Sequence, residues 1–144
     1  MSPPTPHRAA RRRIRRPSAT LRLAAAAAPR IDDAAWARLR PLIPVQPRTP
    51  GPGRPAADDR EVLEALVKML VAHASYNQLD LIGPISGVTV RRRLRAWQNA
   101  GAWDAISAEL AALPALAQRR LDFTVLDRPQ PTALAHRRPC REQP

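Results

Sequence analysis

Residues 86–101, SGVTVRRRLRAWQNAG, are the stretch on which the reading of this chain turns. At 100° per residue, Val90, Leu94 and Trp97 fall within about 60° of one another, the narrow apolar stripe of an amphipathic helix. Arg91, Arg92 and Arg95 project from the other side. Ser86 can cap the first turn through its hydroxyl, and Gly101 can supply the left-handed residue that ends the helix. Thr89, Arg91 and Arg92 stand in the first turns, where short and forked donors reach base edges and phosphates in a major groove. The same pattern also suits a core helix with a solvated basic face, and the helix alone does not choose between the two.

Upstream, residues 58–74, DDREVLEALVKMLVAHA, predict a long helix. Val62, Leu63, Leu66, Val67, Leu70 and Val71 recur at helical spacing, and Asp58 or Asp59 caps it. His73 near its end has no second ligand four residues away and reads as structural. Residues 75–83, SYNQLDLIG, carry Tyr76, Leu79 and Ile82 three apart and run into Gly83-Pro84. A long helix, a short helix, a glycine-containing turn and a basic amphipathic helix follow in the order of a helix-turn-helix unit.

Further out the texture changes. Residues 31–44, IDDAAWARLRPLIP, predict a short helix capped by Asp32 or Asp33, with Trp36, Leu39 and Ile43 on its apolar side and Pro44 as its stop. Residues 46–57, QPRTPGPGRPAA, are a linker by composition. In it, Arg54 of Gly53-Arg54-Pro55 can reach a narrow A·T minor groove, although a plain solvated linker fits equally. After Gly101 the helical pattern resumes with Trp103, Ile106, Leu110 and Leu113. Residues 121–127, LDFTVLD, alternate weakly like a strand before proline and arginine take over.

Charge divides the chain. Residues 1–30 hold eight arginines and no acid, whereas residues 31–113 hold ten basic and nine acidic groups. The first 30 residues, rich in Pro, Arg and Ala, predict a disordered basic arm, or a translated stretch upstream of the true start. Arg22 interrupts their short alanine run, which argues against an export signal. No stretch approaches the ~20 apolar residues of a membrane-spanning helix. Trp36, Tyr76, Trp97 and Trp103 all lie inside the nearly neutral middle, so that is where a core can form. The lone cysteine, Cys140, excludes an internal disulfide and a cysteine-based metal site and fits a reducing compartment. There is no phosphate-binding glycine loop and no Cys/His/Asp constellation, so neither a cofactor nor a metal is expected.

Residues 31–110 resemble the N-terminal domain of the transposases of the insertion-sequence-five group. The marks are the IDDAAWARLRPLIP opening, GRPAADDREVLEALVKML, ASYNQL, VTVRRRLRAWQNAGAWDAI, and the spacing between these blocks. The last run is the most specific, because Thr89, Arg92, Arg93, Trp97, Gly101 and Trp103 match in register. Tyr76 stands where the family usually has Trp, and the glycine before it is missing. The resemblance implies an all-α, helix-turn-helix-like bundle of about four to five helices over residues 31–113, with residues 114–144 a remnant of the start of a catalytic domain. Family members continue into a ribonuclease-H-like domain whose two aspartates and glutamate hold divalent metal. Here LDFTVLD resembles its first strand and Asp127 its first aspartate, while Thr132 and His136 echo the family's Asp-x-Thr…His at the wrong spacing. One carboxylate of three cannot position metal ions.

The function expected from these readings is sequence-specific binding to transposon terminal inverted repeats without strand-transfer chemistry. Thr89, Arg91, Arg92, Arg93, Arg95 and Arg54 are the DNA-binding candidates, and no residue is assigned a catalytic role. Double-stranded DNA and the full-length transposase are the expected partners, with no membrane and no small-molecule substrate. The location expected is cytoplasmic, on the nucleoid. Two other readings stay open: a stand-alone helix-turn-helix transcriptional regulator, and an inert transposase relic that exposes Trp103, Ile106 and Leu110.

Overall fold

The first five helices of this protein begin where a side-chain oxygen accepts an orphaned backbone N–H. The computed structural model describes residues 16–46, 51–53 and 56–127, and the side chain of Asp127 is not among what it describes. Within these residues Asp32 accepts from the Ala35 amide at 2.7 Å and opens α2 (Asp33–Leu39). Asp58 opens α3 (Asp59–Val71), and Ser86 opens α5 (Gly87–Asn99) by accepting from Thr89 N at 3.2 Å. Ser75 and Gln78 form a reciprocal capping box at the start of α4 (Tyr76–Ile82). The order is completed by α1 (Ala19–Ala26), α6 (Trp103–Ala112) and α7 (Pro114–Ala117), with 3-10 turns at Arg40–Leu42 and Phe123–Asp127. The described residues contain no strand, and the all-α expectation holds. No described helix is long and apolar enough to cross a membrane.

The core is built around α3. Val62, Leu63, Leu66 and Val67 are fully buried, and α1, α4 and α5 pack on this helix. Its polar side is used as well. Arg60 Nε donates to Ile31 O at 3.1 Å while Glu64 accepts from Ile31 N at 3.2 Å, so both backbone groups of Ile31 are satisfied from one helix. That pair docks the start of α2. Arg38 of α2 and Glu109 of α6 are paired at 2.6 Å. Between α5 and α6 the Trp97 and Trp103 rings stack at 6.5 Å, and Phe123 meets Trp103 edge-on at 6.4 Å.

Two helix ends share one solution. At the end of α5, Ala102 N bonds to Trp97 O and Gly101 N to Gln98 O, around Gly101 at φ 72. At the end of α3, Ala74 N bonds to Met69 O and His73 N to Leu70 O, around His73 at φ 50. Both are Schellman ends, and His73 occupies the left-handed position that glycine fills more easily.

The structure departs from expectation on either side of α2–α6. Residues 19–26, inside the stretch expected to be a disordered arm, form α1. Ser18 caps it, alanine favours the helix, and Ala25 is buried where α1 meets α3 and α4. Residues 121–127 are not a strand. Phe123 and Leu126, three apart, lie on the same side of a 3-10 turn and are both buried, and Gln98 Nε2 donates to Leu126 O at 3.1 Å. A strand would have needed a neighbouring strand to take its backbone bonds.

Candidate nucleic-acid interface

The connection from α4 to α5 is set by a close backbone approach. Gly87, the first residue of α5, is buried, and a Cβ built there would lie 1.9 Å from the Tyr76 carbonyl oxygen. Its N–H donates to Asp80 Oδ1 at 2.7 Å. Helix α4 and the first turn of α5 are therefore held together by a residue without a side chain and by one carboxylate. Ile85 fills the inside of the turn between them. Neither Gly87 nor Asp80 is singled out by sequence reasoning. The available signal was a glycine just inside a helix start, where most other residues serve helicity better.

From that anchored start α5 buries Val90, Leu94 and Trp97, as its periodicity predicts. The opposite line runs along Val88, Arg92, Arg95 and Asn99, all exposed. Among the described residues neither Arg92 nor Arg95 has an acidic partner within ion-pair distance. Arg91 is also exposed but leans to the α4 side, with its guanidinium carbon 5.7 Å from the centre of the Tyr76 ring. Burial raises the Tyr76 phenol above its ordinary pKa, with Arg91 opposing, so the ring presents a neutral face to the cation. Thr89 is half-buried on the α3 side, and its hydroxyl lies 2.9 Å from Ser86 Oγ.

Arg93 is placed differently from its neighbours. The sequence groups it with the DNA-binding arginines, but its guanidinium is an ion-pair partner of Asp59 at the start of α3 and donates to Ala57 O at 3.3 Å. Only 14% of its side chain is exposed. It joins α5 to α3 and does not share the outward ridge. The Asp59 carboxyl is pushed above its ordinary value by burial. Arg93 pulls it back and Asp58 adds to the rise, leaving a net upward shift. Arg54 lies outside the described residues, as do residues 1–15 and Thr132, His136 and Cys140.

A cleft separates the α3 and α5 starts, lined by Asp58, Glu61, Ser86, Thr89, Arg92 and Arg93. Its acids face the cleft from α3, so a polyanion is repelled on that side and attracted along the Arg92–Arg95 ridge. Among the described residues no three His, Cys, Asp or Glu side chains gather as a metal site would require.

A family model described as "Putative transposase of IS4/5 family" matches residues 31–107. The stretch runs from the start of α2 into α6 and so includes the whole α3–α5 unit. The chain is 37% identical over 101 residues to the "Insertion element IS402 uncharacterized 16.2 kDa protein" of Burkholderia cepacia, covering 68% of each chain. No solved structure matches. On the span of the family match and the identity to that relative, this chain belongs to the IS4/5 transposase family.

Proposed function

We propose that this chain recognises the terminal inverted repeats of its own insertion element, with α4, the turn and α5 acting as a helix-turn-helix and α5 lying in the major groove. The observation that carries the reading is the division of α5 into two sides. Val90, Leu94 and Trp97 are buried at its back, while Arg92 and Arg95 stand exposed at its front, without acidic partners among the described residues. A recognition helix needs both, because groove readout demands side chains held on a rigid element. Arg91 and Thr89 flank the ridge and serve as phosphate or base contacts. Arg54 and the arginines of the first 30 residues add sequence-independent affinity. The role assigned to these residues is end recognition, and strand transfer is assigned to none of them. A chain acting this way competes with full-length transposase for the ends and lowers transposition, and its place is on the nucleoid.

The test is a titration of the purified chain against duplexes from the DNA flanking its gene, beside scrambled duplexes, at several salt concentrations. A preference of about 10³ or more for the flanking DNA, reduced by Arg92→Ala, is the expected result. Equal and steeply salt-dependent binding to both duplexes would assign all affinity to phosphate neutralisation and sink the reading.

A further inference from the structure

Val88 is the odd member of the α5 ridge. This residue is 65% exposed, whereas Val90 two residues later is fully buried. A β-branched residue in the first turn of a helix adds little helicity, and this one adds no packing to the core. It heads the line that continues through Arg92 and Arg95, four and seven residues on. The two hydroxyls nearest to it, on Ser86 and Thr89, are engaged with each other and with the cap. The groups left pointing outward from the first three turns along this line are one valine and the arginines that follow it.

An arginine can serve a phosphate or a base, but a valine can bond to neither. The major groove presents donors, acceptors and a single apolar group, the C5-methyl of thymine. We infer that Val88 reads the methyl group of one thymine in each terminal repeat, making it a specificity-determining residue beside Arg92 and Arg95. This rests on the end-recognition reading above. The charges on the same line bring the helix against DNA, and the valine then meets the one base feature it can match.

Deoxyuracil in place of thymine removes only that methyl, so the flanking duplex can be scanned one thymine at a time against the wild-type chain and Val88→Ala. At one thymine per repeat the wild type should lose about three- to fivefold in affinity, the worth of one buried methyl group. Val88→Ala should lose nothing there and should bind the unmodified duplex as the wild type binds the deoxyuracil one. Because Val88 is exposed and alanine is the better helix former, the variant should melt at the wild-type temperature or above it. Preference for flanking DNA with no deoxyuracil effect at any position, or an unchanged profile in Val88→Ala, would overturn this inference alone. No preference for flanking over scrambled DNA would overturn end recognition and this inference together.

Discussion

Arg92 and Arg93 are neighbours in the chain and face different worlds. Arg92 stands exposed on the outer line of α5, while Arg93, 100° around the helix, is mostly buried against Asp59 of α3. Arg91, one step the other way, lies over the Tyr76 ring of α4. Three identical side chains in a row thus meet solvent, a carboxylate and an aromatic face. A run of basic residues in a helical sequence is not a basic patch. The helical period parcels it out among whatever the neighbouring elements offer.

Substitutions can break that contrast between the inner and outer sides of α5, beginning with the largest effect. Trp97→Ala empties the fully buried back of the helix, where its ring stacks on Trp103 of α6, and should cost about 3–5 kcal/mol of stability in a denaturant titration. Gly87→Ala forces a methyl group against the Tyr76 carbonyl. It should cost about 1–3 kcal/mol and shift α4 relative to α5, visible as altered amide chemical shifts in both helices.

Arg93→Ala and Arg92→Ala then set the two sides against each other. Losing Arg93 removes the Asp59 ion pair and the bond to Ala57 O, for about 1–2 kcal/mol of stability. Losing Arg92 should move stability by less than about 0.5 kcal/mol. On DNA the order should reverse, Arg92→Ala lowering the salt slope of binding by about one and Arg93→Ala leaving it unchanged. If both variants lowered the slope alike, the inner and outer assignments would be wrong.

The smallest effect concerns pH. The Asp59 carboxyl lies above its ordinary value of 3.8 in the folded chain, so the native state holds that proton more tightly than the unfolded state does. The stability contributed by this group is full below the ordinary value and is lost as pH rises through the raised one. Asp59→Asn should flatten that step in a series of melts between acid and neutral pH, and Arg92→Ala should leave it in place.

Much of the fold and of its outward face is legible in the sequence. The caps at Asp32, Asp58 and Ser86 and the left-handed Gly101 all follow from residue type and position. So do the apolar stripe of α5 and the order of α3, α4 and α5. These are local features, written in a few adjacent side chains. The departures are of another kind. α1 forms in a stretch poor in large apolar residues because α3 and α4 offer Ala25 a place to be buried. LDFTVLD becomes a 3-10 turn because Trp103 and Gln98 supply what a partner strand would have supplied.

By itself the sequence determined the helices from α2 to α6 and the residues available to face outward, since propensity, capping and periodicity act within one or two turns. Only the tertiary structure decided what each of those residues meets. Arg93 pairs with Asp59 from 34 positions away. The start of α5 is pinned by Asp80 and by a bare approach to Tyr76. Such contacts depend on where one helix places its neighbour, and no residue carries that information alone.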